Sequence, residues 1–306
     1  MMRKRYLWKL KGREIPLGER TLIVGVLNVT PDSFSDGGRY LEPERAFARA
    51  IEMEDEGANI IDVGAESTRP GSKRISEQEE LRRLVPVLRL LRGKLAVPIS
   101  VDTYKARVAA RALELGAEII NDPSGLTFEP ALAKAVRDAD AGLILNHMRG
   151  TPETWARLGP LPDVMAALAH DLDAAVQRAR LAGMERERIV IDPGLGFGKR
   201  GEQNYEILAR LPELARLGFP LMAGPSRKSF LGETTSEGKL MGTAAAVTAA
   251  ILGGAHLVRV HDVRPMSLLV RTADALAAAR RDDDRPSIPP ARSAGTGRSE
   301  AARRRE

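Results

Sequence analysis

The polar residues of this chain that could do chemistry recur at one kind of place. Short apolar runs end, in turn, at Asn28, Asp62, Asp102, Asn121 with Asp122, Asn146 with His147, Asp192, Ser226 with Lys228, and Arg259 with His261. A single strand-end carboxylate often caps a loop, but so many at equivalent positions need partners. An unpaired buried charge is costly, so each must face an opposite charge, water or a ligand. Carboxylates and amides together suit a flat heterocycle that offers N–H donors and ring acceptors. Arg69, Arg259 and His261 can gather round a phosphate-like anion. A substrate with a polar ring and a diphosphate fits both halves.

Several other chemistries are excluded. The chain has no cysteine, which removes disulfides, thiol catalysis, iron–sulfur clusters and Cys-ligated zinc, and four His leave little for a multi-histidine metal site. Gly196–Gly201 (GFGKRG) fits G-x-G-x-x-G, but it follows the sixth strand-like run instead of opening the first βα turn, so it is no dinucleotide fingerprint. Ser226 in GPSRK lacks the second glycine of a nucleophile elbow, and no His–Asp pattern accompanies it. His170 and His256 read as structural or exposed.

The elements that must hold these residues alternate regularly. Strand-like runs at 21–29, 58–64, 98–103, 118–122, 142–148, 189–192, 219–223 and 256–261 are separated by helix-like stretches at 43–56, 77–91, 105–115, 129–139, 162–182, 205–217 and 243–253, and 265–280 closes the series. Eight strand–helix units in about 260 residues predict a (β/α)8 TIM barrel, with a doubly wound open sheet as the other arrangement. Continuously apolar strands fit a parallel sheet buried on both faces. Such barrels keep their active sites where the strands end. Residues 6–17, with a Lys11-Gly12 turn, predict an N-terminal β-hairpin that plugs the bottom of the barrel. Two loops on the catalytic side, Thr30–Gly38 (TPDSFSDGG) and Glu66–Lys73 (ESTRPGSK), have lid-like composition.

The whole chain is 306 residues, with 47 Lys+Arg against 41 Asp+Glu, a net +6, and 43% hydrophobic positions. That is ordinary for a globular protein, and residues 1–280 read as one domain. Residues 281–306 mix both charges with Pro, Ser, Gly and Ala and predict a disordered tail. Aromatics make up 4%, and no basic stripe interleaves with them, which argues against a nucleic-acid partner. No apolar run approaches the roughly 20 residues of a membrane helix. Tyr6–Leu10 is too short for a signal sequence, so a cytoplasmic location is expected.

Taken in order, these strand ends resemble those of the dihydropteroate synthases, a pterin-binding family of folate biosynthesis. GVLNVTPDSFSDGG (Gly25–Gly38) and GANIIDVGAESTRPG (Gly57–Gly71) resemble its two signatures. SVDT at 100–103, IND at 120–122, NHMRGTP at 146–152, DPGLGFGK at 192–199, SRKSFLG at 226–232 and RVHD at 259–262 follow in family order.

The resemblance implies a barrel and a transferase reaction: 6-hydroxymethyl-7,8-dihydropterin diphosphate and 4-aminobenzoate give 7,8-dihydropteroate and pyrophosphate. It implies that Asp102, Asn121, Asp192 and Lys228 hold the pterin and that Arg259 stacks on it. Arg69, Arg259 and His261 would form the diphosphate pocket. Thr68 and Val260 match substrate-binding positions, and Asn28 would offer an oxygen to Mg2+, the one cofactor implied. Phe34 and Pro70 would wall the 4-aminobenzoate site, with Ser229 at a helix start receiving its carboxylate. Asp32 would face the developing cation. The resemblance also implies a sulfonamide target and a homodimer. Four features depart from the pattern. Asn146 stands where Met is expected before His147, GEQN lacks an expected His before Asn204, and Pro123 and Pro225 are unusual. Two other readings are a methyltetrahydrofolate-dependent corrinoid methyltransferase and a non-catalytic pterin-binding paralogue. Arg69 in STRPG and Lys228 beside Ser229 favour the synthase.

Overall fold

The apolar runs become parallel strands because neither of their faces meets water. The structure is a computed structural model that describes residues 3–30, 42–69 and 71–279. It opens with β1 (Tyr6–Leu10) and β2 (Arg13–Leu17), then β3 (Leu22–Asn28), α1 (Glu42–Asp55), β4 (Ile60–Gly64), α2 (Glu77–Leu91), β5 (Ile99–Asp102) and α3 (Ala106–Glu114). It continues through β6 (Ile119–Asp122), α4 (Ala131–Asp138), β7 (Gly142–Asn146), α5 (Val164–Leu181), β8 (Ile189–Asp192) and α6 (Gly201–Ala209). The last elements are β9 (Met222–Ala223), α7 (Ser236–Leu252), β10 (Leu257–Val260) and α8 (Val263–Ala279).

Strands pair in the order β8-β7-β6-β5-β4-β3-β10-β9, all parallel. A parallel bridge between Ile191 and Leu221 joins the two ends of that ladder. The result is the expected (β/α)8 barrel.

Each strand's period of two divides its residues between two cores. Leu143, Leu145, Ile189, Ile191, Val258 and Val260 pack outward, against the helices. Leu22, Val24, Ile60, Ile119, Ile144, Val190, Met222 and Leu257 point inward and meet Trp8, Leu10 and Leu17 from the hairpin. The hairpin therefore does plug the N-terminal mouth. Its two-residue turn relies on Gly12 at φ +78, and Trp8 Nε1 donates to Arg188 O at 3.0 Å at the foot of β8. Gly142 makes room for the plug, since a Cβ there would lie 2.4 Å from Leu10 Cδ2.

Two helices differ from the sequence expectation. The stretch expected at 205–217 divides into α6 and a 3-10 turn, Leu211–Leu217, because Pro212 has no N–H to continue an α-helix. α7 starts at Ser236, seven residues before the expected 243, capped by Thr235 Oγ1 accepting from Gly238 N at 3.0 Å. Gly238 and Gly242 have low intrinsic helix propensity. Gly242 instead lets the helix pack on Leu231, whose Cβ would stand 3.4 Å from an added one. The expected tail at 281–306 and most of the first loop lie outside the described residues.

Candidate active site

The inward period of two also builds the site. Two residues beyond the plug contacts Ile60, Ile119, Ile144, Val190 and Leu257 stand Asp62, Asn121, Asn146, Asp192 and Arg259. Asn28 and Asp102 take the corresponding positions on β3 and β5. Strand register aligns Asn28 with Gly64 and Gly64 with Asp102. An added Cβ at Gly64 would lie 3.8 Å from both Asn28 Oδ1 and Asp102 Oδ2, so the glycine leaves those two side chains facing one another.

Arg259 is the hub. Its Nε donates to Asp62 Oδ2 at 2.7 Å and its Nη2 to Asp102 Oδ2 at 2.8 Å. Asp62, fully buried, also accepts from Asn121 Nδ2 at 3.1 Å. Two carboxylates thus fix the guanidinium plane at the mouth. Asp62 Oδ1, Asn121 Oδ1 and Asn146 Oδ1 are buried acceptors with no partner among the described residues, suited to ligand N–H groups.

Electrostatics sort the charged groups. Burial raises Asp102, against the pull of Arg259. Burial pushes Asp192 up to about 6, opposed by the Gly194 N–H and by Lys228, Lys199 and Arg259. Lys228 is drawn down to about 8 by burial and then Arg259, and its ammonium lies 3.8 Å from the Phe197 ring centroid. His261 is lowered to about 3 by burial and by Arg259 and Arg227, so it is neutral at neutral pH. Its ring Nδ1 stands 3.0 Å from Ser226 Oγ, which already accepts the His261 N–H at 3.1 Å. Ser226 Oγ thus anchors both the backbone and the ring of His261 at the mouth. This Ser–His pair, unseen in the sequence, is no acylating dyad: so low a pKa makes a poor base.

Asn28, Thr68, Arg69, Asp102, Lys228, Ser229, Arg259 and His261 are among the residues lining a cavity of about 600 Å3. Asn121 and Asp192 are 2% exposed and do not line it; Asp62 links Asn121 to Arg259. Val260 faces the helices, so only its backbone can serve a ligand. Ser229 begins a three-residue 3-10 turn, not a helix as expected, and so short a turn has little dipole to offer an anion. Asp32, Phe34 and Pro70 lie outside the described residues.

The second loop is stapled at its base. Glu66 accepts from Lys105 Nζ at 2.7 Å, Tyr104 OH at 3.1 Å and Ile75 N at 3.1 Å. Ser72 Oγ bonds Ser67 O and Arg69 O. Asp62, Phe197 and Trp155 were not singled out as site residues from sequence. Asp62 alone carried a signal, as one of the strand-end acids.

No group of three or more His, Asp or Glu among the described residues could hold a metal ion. Asn28 Oδ1 is a lone hard oxygen beside Asp102 at the mouth. That fits Mg2+ completed by diphosphate oxygens and water, as this ion commonly takes few protein ligands.

Comparison with known proteins agrees with this geometry. The pterin binding enzyme family matches residues 24–261. A dihydropteroate synthase of Synechocystis is 46% identical over 263 residues, covering 85% of this chain and 91% of the relative. A Clostridium difficile dihydropteroate synthase crystallised in the presence of pteroic acid superposes with a TM-score of 0.80 at 42% identity, covering 85% of this chain and 98% of that one. A Xanthomonas albilineans dihydropteroate synthase with 4-aminobenzoic acid gives 0.80 at 38%, covering 92% and 99%. This chain belongs to the dihydropteroate synthase family of pterin-binding enzymes.

Proposed function

We propose that the protein condenses 6-hydroxymethyl-7,8-dihydropterin diphosphate with 4-aminobenzoate to give 7,8-dihydropteroate and pyrophosphate. One observation carries the reading: Asp102 and the cations Arg69, Lys228 and Arg259 line one cavity at the barrel mouth, with Asn121 and Asp192 on the same inward face of the barrel. Asp192 accepts the pterin amino group and adjacent ring N–H, Lys228 donates to the ring carbonyl, and Asp102 and Asn121 read the other edge. Arg259, oriented by Asp62, stacks on the ring. Arg69, Arg259 and His261 hold the diphosphate. Thr68 lines the same cavity, and Val260 would offer its backbone alone.

The reaction breaks the bond between the pterin methylene carbon and the diphosphate oxygen, leaving a resonance-stabilised pterin cation. The amine lone pair of 4-aminobenzoate then forms the new C–N bond, and the nitrogen sheds a proton to solvent. Asn28 would hold Mg2+, which supplies charge neutralisation on the leaving diphosphate. The protein contributes orientation and fixed charge, and no protein nucleophile is required. Asp32 would face the cation. Phe34 and Pro70 would wall the aminobenzoate, with Ser229 receiving its carboxylate.

The same reading makes residues 1–280 one domain acting in the cytoplasm. No helix among the described residues is long and apolar enough to cross a membrane. It also proposes a homodimer, for which exposed Met241 on α7 and Leu268 and Leu276 on α8 offer apolar surface. The test mixes purified protein, Mg2+, the pterin diphosphate and 4-aminobenzoate and follows pyrophosphate release. Release dependent on both substrates is expected; none at saturating substrate would refute the reading.

A further inference from the structure

The glycine-rich segment between Asp192 and α6 ends at Lys199, a buried lysine whose partners are all carbonyls. Its ammonium donates to Gly194 O at 2.6 Å, His147 O at 3.0 Å and Phe197 O at 3.3 Å. That uses all three of its protons. Burying a cation without a directly bonded carboxylate is expensive, so such a residue is a poor choice for mere filling.

Its partners lead to the ring-reading groups. The Gly194 N–H donates to Asp192 Oδ1 at 2.7 Å. Gly194 has φ +65, and a Cβ there would lie 1.9 Å from His147 O, so only glycine brings these two backbones under one ammonium. The Phe197 ring lies 3.8 Å from Lys228 Nζ and stacks on Trp155 at 5.2 Å. Gly196 also touches the lysine stem: a Cβ there would stand 3.1 Å from Lys228 Cδ. Asn204 completes the frame, its Oδ1 accepting from Gly196 N at 2.6 Å and its Nδ2 donating to Arg200 O at 2.8 Å.

We propose that Lys199 is a positioning residue for pterin recognition: clamping the carbonyls of His147, Gly194 and Phe197, it aims Asp192 and Lys228 at the ring without touching substrate. The inference rests on the pterin reading above. Its charge has a second effect. Asp192 is faced by Lys199 from its own loop, Lys228 from the segment after β9 and Arg259 from β10. Just after β7, His147, paired through Nε2 with Asp171 Oδ2 of α5 at 2.9 Å, is held down to about 4 by burial and Lys199, against Asp171, and is neutral near pH 7. Burial draws Lys199 itself well below the ordinary lysine value, against the pull of Asp192; three carbonyl acceptors hold it in the ammonium form, and removing that charge leaves Asp192 harder to ionise.

The test compares the full-length protein with Lys199→Met and Lys199→Gln. The methionine keeps the stem and loses every donor; the glutamine keeps two donors and no charge. The KM for the pterin diphosphate should rise about 10- to 100-fold in Lys199→Met, the worth of one charge-assisted hydrogen bond, and less in Lys199→Gln. The KM for 4-aminobenzoate should stay within about twofold. The acid limb of kcat/KM should move to higher pH in both variants. In a Trp8→Phe background Trp155 is the only tryptophan, so its emission should shift on Lys199→Met as Phe197 is released. Equal rises in both KM values, an unmoved acid limb, or two variants that fail to fold would overturn the proposal, the last by making the lysine scaffold alone. A wild type that does not bind the pterin diphosphate overturns the functional reading and this inference with it. A wild type that binds it no better than Lys199→Met overturns this inference alone.

Discussion

Arg259 Nε sits 2.7 Å from the Oδ2 of Asp62, a residue with no exposed surface, so a long, flexible cation is held by one of the least accessible carboxylates. Arg259 faces the cavity while Asp62 does not. Asp62 therefore acts through the arginine. Asp62→Ala should cost ~3 kcal/mol of stability, as breaking a buried pair leaves a charge uncompensated. It should also lower kcat/KM for the pterin diphosphate. Asp62→Asn, which keeps an acceptor for Nε, should recover part of both. Urea unfolding and steady-state kinetics check this; full activity in Asp62→Ala would sink the role.

The pH profile of kcat/KM for the pterin diphosphate should be a bell. Asp192 must be ionised to accept two N–H groups, and burial puts it at about 6, so activity falls on the acid side of that value. Lys228 must be protonated to donate, and burial puts it at about 8, so activity falls on the alkaline side. Lys228→Met should remove the alkaline limb. A profile flat across this range contradicts both assignments.

Asp192→Ala should abolish measurable pterin binding, at least about 100-fold weaker, because the Lys228 charge and the ring donors lose their shared acceptor. Isothermal titration with the pterin diphosphate reads the loss. Unchanged affinity would contradict the assignment.

At the other end of the barrel, His256 ties chain to chain. Its Nδ1 accepts from Leu221 N at 3.1 Å and its Nε2 pairs with Lys4 O at 2.9 Å. Burial pulls its pKa from 6.5 to about 4, aided by Arg3 and opposed by the Lys4 carbonyl. Between those values the unfolded chain takes up a proton that the folded protein refuses. Stability from this group is therefore intact above about 6.5 and lost as pH falls toward about 4. His256→Gln should flatten the fall by ~2 kcal/mol between about pH 6.5 and about pH 5, read by denaturant melts at each pH. An unchanged slope would count against a neutral, buried His256.

Trp8→Ala empties the plug and should destabilise the barrel by about 3–5 kcal/mol while leaving both KM values in place, since the site lies at the opposite mouth. Thermal unfolding and kinetics separate the two effects. A large change in either KM would mean that the plug reaches the site.

Much of this protein was determined by sequence alone, and for a local reason. Strands buried on both faces must be apolar throughout, so 189–192 reads as β8 with no other information, and 77–91 reads as α2 from its helical period. The polar residue ending each run marked the site before any fold was assigned. What only the tertiary structure decided were the pairings across the barrel: Asp62 with Arg259, Ser226 with His261, Lys228 over Phe197. These depend on strand register and on which residues share an inward face after closure, and residues 197 positions apart carry no local trace of it. The start of α7 was hidden likewise, because Gly238 and Gly242 carry a low helix propensity that packing on Leu231 overrides. In the sequence Lys199 is simply the last residue of DPGLGFGK. Only three carbonyls converging from two strand ends reveal it as a clamp.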